Sequence, residues 1–334
     1  MRKEKENSKK ASPSLSCNDI INDNDISEDN KKYMQRCIQL AKNGLINAKP
    51  NPMVGAVIVY NGRIIGEGYH AHCGEGHAEV NAFASVKPED EKNLNDATIY
   101  VSLEPCSHYG KTPPCADLII SKGVKKVVCG CIDPFSKVQG RGIKKLRDAG
   151  IDVTVGILED ECKELNKKFF TVNTLRRPYI ILKWAQTANG YLDNNYKQIE
   201  ISNDATKILS HKLRAENDAI LVGRITDERD KPLLTVRNWV GTDPERIVLS
   251  HKTSIDEILS NLYKNKKQSL IVEGGTRTIQ SFIGRDLWDE IRIETNPGII
   301  VEKGTKAPAL PATAKLVSEQ LFGNNIIATY RHNK

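Results

Sequence analysis

The feature that most constrains the fold is an alternation of short apolar runs with helical patterns, which begins at Tyr33 and continues through most of the chain. Residues 54–60 and 98–103 predict buried strands, and residues 78–86 between them predict a helix. Strands that alternate with helices form a layered α/β sheet, because each helix must bury its apolar face against the strands. At about 150 residues per domain, the length of 334 residues predicts two such domains.

The same alternation predicts the remaining elements and the domain boundaries. Asn61-Gly62 is typical of a hairpin turn between two strands. Strands are predicted at residues 63–68, 126–132, 152–155, 178–184, 219–222, 246–249, 269–272 and 291–294, and helices at 116–121, 143–149, 158–168, 205–216 and 255–263. We interpret residues 1–30 as a disordered tail, 31–157 as a first α/β domain, 158–177 as a connector and 178–334 as a second α/β domain.

Composition excludes several classes of protein. A hydrophobic content of 39% with 27% charged residues is ordinary for a globular protein, and no apolar run approaches the ~18 residues of a spanning helix. The net charge of +7 suits a phosphorylated small molecule at least as well as a nucleic acid. The charged N-terminal residues do not form a signal peptide, so we expect a reducing cytoplasm, where cysteines are buried thiols or metal ligands.

The distribution of histidine and cysteine points to a metal site. Three of the eight cysteines and four of the seven histidines lie between His70 and Cys115. His77, Cys106 and Cys115 provide one imidazole and two thiolates, which leaves a fourth zinc position for water, as in a catalytic site. Glu79 follows the histidine by two residues and is suited to transfer the proton of that water. The pattern His-x-Glu followed by Pro-Cys and a second Cys is the signature of the zinc-dependent nucleobase deaminases.

Other interpretations of these residues remain open at this point. A structural zinc site needs a fourth protein ligand, and His108 or Cys73 is available for that role. Cys129 and Cys131 lie on one face of a predicted strand, which favours buried packing over a metal role.

The spacing of the two cysteine ligands resembles a particular family of deaminases. Eight residues separate Cys106 from Cys115, and among them are His108 and Lys111. The chain is similar to the bifunctional deaminase–reductases of riboflavin biosynthesis in the segments Asn51-Pro52-Met53-Val54-Gly55-Ala56-Val57, Gly68-Tyr69-His70, His77-Ala78-Glu79, the run from Glu104 to Cys115, Asp133-Pro134 and Gly140-Arg141-Gly142.

This resemblance implies a cytidine-deaminase-like three-layer α/β/α domain that binds Zn²⁺ through the three ligands named above, with Glu79 as the catalytic proton carrier. It also implies that Asn51, His70, His108 and Lys111 bind the substrate. The implied reaction is the hydrolytic deamination of 2,5-diamino-6-(5-phosphoribosylamino)pyrimidin-4-one. The implied partner is thus a phosphorylated pyrimidine, with no nucleic acid and no membrane.

The second half resembles the reductase domain of the same family, which has a dihydrofolate-reductase-like α/β fold and uses NADPH to reduce the ribosyl group to ribityl. The matching segments are residues 183–190, 211–214, 217–223, 233–237 and 273–276. By position, the resemblance assigns substrate binding to Gln198, Arg214, Leu234, Arg237 and Glu273. It assigns cofactor binding to Ala185, Thr226, Asp230 and Gly275, and it suggests a homo-oligomer formed through this domain.

The second half also departs from the family pattern. Glu200 stands where the family has Trp, Asn189 replaces an Asp, and Lys231-Pro232 replaces Asp-Pro. The stretch between residues 249 and 255 is short, which predicts the loss of at least one strand. An alternative hypothesis is therefore a deaminase with a non-catalytic reductase-like domain. An RNA-editing adenosine deaminase is a further alternative, but the chain lacks the interleaved basic and aromatic residues of an RNA-binding surface.

Overall fold

The computed structural model describes residues 27–109, 113–135 and 138–333. The chain divides into two compact units, one of residues 1–44 and 53–165, the other of residues 45–52 and 166–334. The division after Leu165 falls inside the predicted connector. Residues 1–26 of the predicted disordered tail lie outside the described residues, but Glu28 begins the first helix, so the end of that predicted tail is helical.

The first unit contains a five-stranded sheet in the order β2-β1-β3-β4-β5. Its strands are β1 Gly55–Tyr60, β2 Arg63–Tyr69, β3 Thr98–Leu103, β4 Lys126–Cys131 and β5 Asp152–Val155. The first three strands pair antiparallel, and β3, β4 and β5 pair parallel. Asn61 and Gly62 both have positive φ, as the two-residue turn between β1 and β2 requires. The sequence located all five strands to within a residue.

Helices cover both faces of this sheet. They are α1 Glu28–Ala41, α2 Ala78–Ala84, α3 Cys115–Ser121, α4 Arg141–Asp148 and α5 Glu159–Leu165. Residues of α2, α3 and α4 form one apolar core with Ile58, Ile99 and Val127 of the sheet, while α1 packs on β1 and β3 and also contacts α5. Because both faces are covered, the strands are nearly continuous apolar runs. The unit is the predicted three-layer α/β/α domain.

The second unit contains a seven-stranded sheet in the order β11-β12-β10-β6-β9-β7-β8. Its strands are β6 Tyr179–Thr187, β7 Ala219–Gly223, β8 Glu245–Leu249, β9 Ser269–Val272, β10 Glu290–Asn296, β11 Ala314–Phe322 and β12 Asn325–His332. The five strands from β10 to β8 are parallel, and β12 and β11 add antiparallel at one end. At the other end, β8 is the outer strand, and a short connection leads from Leu249 directly to the next helix at Ile255.

The helices of this unit are α6 Lys167–Leu175, α7 Asp204–Ala215, α8 Arg224–Asp230, α9 Ile255–Lys264 and α10 Thr276–Gly284. Apolar clusters lie on both faces of the sheet, one around Trp288 and Phe282 and one around Tyr179 and Leu213. Three predictions need correction. The connector contains two helices rather than one. The helices α8 and α10 and the β11–β12 hairpin were not predicted from the sequence.

A buried carboxylate joins α6 to this sheet. Glu290 is fully buried and lies 3.2 Å from the Lys167 ammonium, 2.5 Å from Arg292 Nε and 3.2 Å from Arg331 Nη1. It also accepts a hydrogen bond of 3.0 Å from the Tyr179 hydroxyl. Burial opposes ionisation, but the three cations outweigh it and lower the pKa of Glu290 from 4.5 to about 2.

We expect Glu290→Gln to destabilise the protein by about 3 kcal/mol at pH 7, because it leaves three cations without their shared anion. Since folding lowers this pKa, the contribution is complete above pH 4.5 and is lost as the pH falls towards about 2. Urea unfolding at several pH values measures the difference. Glu245→Gln, an exposed glutamate 3.5 Å from Lys267, is the control and should change little. A difference that does not depend on pH would contradict the assignment.

Within the described part of the chain, no helix combines the length and the apolar character that crossing a bilayer requires.

Candidate functional site

The three predicted zinc ligands meet at the ends of two helices. His77 is the residue immediately before α2, Cys115 is the first residue of α3, and Cys106 follows β3 by three positions. His77 Nδ1 lies 3.3 Å from Cys115 Sγ and 3.6 Å from Cys106 Sγ. All three ligand atoms lie within 4.8 Å of one another, and no other such group was found among the described residues.

This donor set fits zinc. Bonds of about 2.3 Å to sulfur and about 2.0 Å to nitrogen place the ligand atoms of a tetrahedral zinc roughly 3.5 to 3.8 Å apart. The observed separations of 3.3 and 3.6 Å are close to these values. The Cys115 backbone N–H donates to Cys106 Sγ at 3.3 Å, which favours the thiolate form of Cys106. Three protein ligands leave one tetrahedral position for water, as in catalytic zinc sites.

Glu79 lies in the first turn of α2, two residues after His77, and is 3% exposed. Burial raises its pKa, and the nearby Cys106 thiolate acts in the same direction. A raised pKa suits a carboxyl group that must accept and then return a proton near neutral pH.

The loop before α2 holds His77 in place. His70 Nδ1 and the Asn81 side-chain amide both lie within hydrogen-bond distance of the Gly76 carbonyl oxygen, at 3.1 and 3.2 Å. The Asn81 amide also donates to the Tyr69 carbonyl at 2.8 Å. The His70 ring contacts the edge of the His77 ring, with centroids 5.3 Å apart. Asn81 was not anticipated, although a polar side chain four residues after a metal ligand on a short apolar helix is a recognisable signal.

The other three predicted substrate residues are Asn51, His108 and Lys111. Asn51 is half-buried, belongs to the second unit although it precedes β1 in the sequence, and donates its backbone N–H to the Ala48 carbonyl. His108 is exposed, with its ring 6.1 Å from that of Phe135. Lys111 lies outside the described residues.

Two buried acids beside this site were not predicted. Glu104 directly follows β3, just before Pro105-Cys106, and is 4% exposed. Asp133 follows β4, and burial raises its pKa to about 7. The signal for Glu104 is a charged residue directly after a mostly apolar strand.

In the second unit, the structure brings together predicted residues that are far apart in the sequence. Arg214 Nη2 donates to Glu273 Oε2 at 2.8 Å, and the Lys183 ammonium lies 3.7 Å from Glu273 Oε1. Burial opposes ionisation of Glu273, but Lys183 and Arg214 lower its pKa overall. Arg214 Nε and Glu273 Oε1 are buried without a hydrogen-bond partner. Such atoms are expected where a polar ligand binds.

Three other predicted substrate residues differ in their surroundings. Arg237 Nη1 donates to Thr235 Oγ1 at 2.7 Å, and the Thr235 carbonyl accepts from Arg214, so the two arginines share a neighbour. The Leu234 side chain is buried in the apolar cluster around Tyr179, which leaves only its backbone for a ligand. Gln198 is exposed.

The predicted cofactor residues Thr226 and Gly275 are in contact. The Gly275 N–H donates to Thr226 Oγ1 at 2.9 Å, and the Gly223 N–H donates to the Gly274 carbonyl at 3.1 Å. These turns end the adjacent parallel strands β7 and β9, and ligands of open α/β sheets bind at such carboxyl ends. Gly274 has φ +154°, which L side chains rarely adopt, so its backbone stays bare.

Two cofactor predictions lie outside this contact. Ala185 lies on β6 opposite Glu294 of β10, and Asp230 ends α8 in an ion pair with Arg229.

The structure accounts for two departures from the family pattern. Asn189 donates its side-chain amide to the Val301 carbonyl at 2.7 Å, a bond that an ionised Asp could not make. Glu200 is exposed and forms an ion pair with Lys207, which offsets the negative charge expected to repel cofactor phosphates.

Comparisons with known proteins match both units. Residues 27–131 match the family model of the cytidine and deoxycytidylate deaminase zinc-binding region, and residues 178–257 and 252–320 match that of the RibD C-terminal domain. The two pieces of the second match overlap at residues 252–257, next to the short connection after Leu249.

Two relatives and one solved structure match this chain over most of their own length. The riboflavin biosynthesis protein RibD of Aquifex aeolicus is 38% identical over 323 residues, covering 83% of this chain and 89% of that protein. RibD of Bacillus amyloliquefaciens is 34% identical and is covered to 86%. A crystal structure of a diaminohydroxyphosphoribosylaminopyrimidine deaminase/5-amino-6-(5-phosphoribosylamino)uracil reductase from Thermotoga maritima is 34% identical, with a TM-score of 0.84 over 91% of this chain and 99% of that one.

These matches confirm the resemblance on which the sequence predictions rested, and they favour two active domains over a deaminase with an inert second half. The chain belongs to the RibD family of riboflavin biosynthesis enzymes, which join a zinc-binding deaminase domain to a reductase domain.

Proposed function

We propose that the first unit deaminates 2,5-diamino-6-(5-phosphoribosylamino)pyrimidin-4-one, replacing its 2-amino group with a carbonyl oxygen from water and releasing ammonia. The observation that carries this proposal is the convergence of His77, Cys106 and Cys115 beside the buried Glu79. When bound, zinc lowers the pKa of water to about 7 and so supplies the nucleophile at neutral pH.

The residues of this site have distinct tasks in the proposal. The Glu79 carboxylate accepts the proton of the attacking water and delivers it to the exocyclic nitrogen, so that ammonia can leave. Its burial keeps that proton from exchanging with solvent. Asn51 offers a donor and an acceptor to the pyrimidine edge, and His70 lies against His77. His108 and Lys111 complete the set as ligands of the ribose phosphate.

We propose that the second unit then reduces the ribosyl group of the product to ribityl. NADPH supplies the hydride when bound. Arg214, Arg237 and Glu273 bind the substrate, with Lys183 beside them, and the unpartnered Arg214 Nε supports a polar ligand there. The bare turn at Gly274 and Gly275 beside Thr226 fits the close approach of a cofactor phosphate to backbone N–H groups. Ala185, Asp230, Leu234 and Gln198 remain proposed contacts.

Boundaries, assembly and location complete the proposal. We assign deamination to residues 31–157 and reduction to residues 178–334, with 158–177 as the connector. A cytoplasmic location is supported by the free thiols of Cys37, Cys129, Cys131 and Cys162. The exposed Leu316, Val317 and Leu321 on the outer strand β11 support a homo-oligomer through the second unit. We propose no nucleic-acid partner.

Mass analysis of products tests both activities. With the diaminopyrimidine phosphate alone, we expect the deaminated ribosyl product, and with added NADPH we expect the ribityl product. An unchanged substrate would contradict the first activity, and a ribosyl product that persists with NADPH would contradict the second.

A separate prediction concerns Glu200. We expect Glu200→Trp to strengthen NADPH binding by about tenfold, the effect of about 1.4 kcal/mol, because it removes a carboxylate from the proposed cofactor side. Fluorescence titration of NADPH measures the affinity. Lys207→Met, which removes the partner of Glu200, is the matched control and should weaken binding instead. Equal affinity in all three proteins would show that Glu200 does not face the cofactor.

A further inference from the structure

The carboxylate of Glu104 accepts hydrogen bonds from four backbone N–H groups. Oε1 accepts from Gly142 at 2.9 Å and Ile143 at 3.3 Å, and Oε2 accepts from Gly140 at 2.8 Å and Asp133 at 3.2 Å. The side chain is 4% exposed, so water cannot replace these bonds. Each buried donor would lose its acceptor if the carboxylate were removed.

One oxygen of Glu104 caps α4. Gly140 precedes this helix and has no side chain to accept the first free N–H groups, and Glu104 accepts two of them instead. The contact is close, since a Cβ on Gly142 would lie 2.0 Å from the Pro105 carbonyl oxygen. The Glu104-Pro105 peptide is therefore fixed against the start of α4.

The zinc ligand Cys106 is held by hydrogen bonds of its own. Cys106 follows Pro105 directly, its carbonyl accepts from Ala116 at 3.1 Å, and its sulfur accepts from the Cys115 N–H at 3.3 Å. These bonds hold Cys106 to α3 independently of Glu104.

Asp133 and Gly140 are held by Oε2, which accepts both of their backbone N–H groups. Asp133 in turn positions Phe135: the Phe135 N–H donates to Asp133 Oδ1 at 2.7 Å, and the Phe135 ring contacts His108. The His108 side chain is otherwise exposed in the described part of the chain.

We infer that Glu104 is a positioning residue for substrate binding in the deaminase site: it holds Asp133, and Asp133 holds Phe135 so that the Phe135 ring supports the His108 ring. This inference rests on the proposed role of His108. Glu104 thereby links the segment that carries the zinc ligand Cys106 to Phe135, the residue whose ring contacts His108.

Glu104→Gln tests this role with little change in shape. The remaining amide oxygen is expected to face the two N–H groups of α4, where the helix dipole favours it, and the new NH₂ then faces the N–H groups of Asp133 and Gly140. We expect KM of deamination to rise about tenfold because these buried donors lose their acceptor, while kcat and a content of one zinc per chain persist. Phe135→Leu should raise KM by a similar factor, and the double variant should show no further increase.

A control variant and the outcomes for the three site residues decide the inference. Asp90→Asn, which removes a buried acid whose side-chain partners are Arg63 and Asn93 rather than residues of the zinc site, should lower stability and leave KM unchanged. If Glu104→Gln likewise lowers stability alone, or if its effect on KM adds fully to that of Phe135→Leu, the inference is wrong. If Glu104→Gln does not fold, an unchanged KM in Phe135→Leu overturns it. His108→Ala separates the two proposals, since an unchanged KM in that variant refutes the role of His108 itself.

Discussion

Replacing Cys115 with Ser is expected to remove zinc and deaminase activity together. A hydroxyl is a far weaker zinc ligand than a thiolate. The two remaining ligands, His77 and Cys106, bind the ion too weakly for it to stay on the purified protein. We expect less than about a tenth of the normal zinc content and no measurable ammonia release, because activation of water depends on the metal. Elemental analysis of the purified protein and an ammonia assay measure the two quantities.

Cys129→Ser is the matched control. Cys129 is as buried as Cys115, but its sulfur donates to the Cys131 carbonyl and faces the apolar core. That variant should keep one zinc per chain. Full retention of zinc by Cys115→Ser would show that Cys115 is not a ligand.

Glu79→Gln is expected to separate proton transfer from metal binding. The amide has the same shape as the carboxyl group but cannot accept the proton of water, so kcat should fall by ~100-fold or more. Zinc content should stay at one per chain, because Glu79 is not among the three ligands. The measurement is the rate of ammonia release from zinc-loaded protein.

Glu75→Gln is the control for this prediction. Glu75 is exposed in the loop before His77, so its charge should contribute little. Near-normal turnover by Glu79→Gln would exclude Glu79 as the proton carrier. Loss of zinc from Glu79→Gln would instead indicate that the buried Glu79 carboxyl group helps to hold the zinc ligands in place.

How far the sequence predicts the fold depends on burial. The strands of the first unit were located to within a residue because both of their faces are covered, which makes them apolar runs that end at turns. The strand β11 carries no such pattern, because most of its residues on both faces are exposed. The helices α8 and α10 were missed because each directly follows a glycine, Gly223 or Gly275, and a glycine in the sequence suggests a turn rather than the start of a helix.

The His77, Cys106 and Cys115 cluster was predictable from the sequence because zinc binding uses residue types that few other roles require. A histidine followed two residues later by a glutamate, with two cysteines further along the chain, is typical of the zinc-dependent nucleobase deaminases. The family was also predictable from the sequence, because its motifs occur in both halves of the chain.

Only the tertiary structure decided which polar groups pair with each other, often across long separations in the sequence. It placed Arg214 and Lys183 against Glu273, more than 50 residues away in the chain. It also paired Glu200 with the nearby Lys207 and buried the Leu234 side chain in the core. It also gave Glu104 four backbone donors from residues 133–143. Backbone N–H groups are the same in every sequence, so their acceptors are known only once the chain has folded and brought them together.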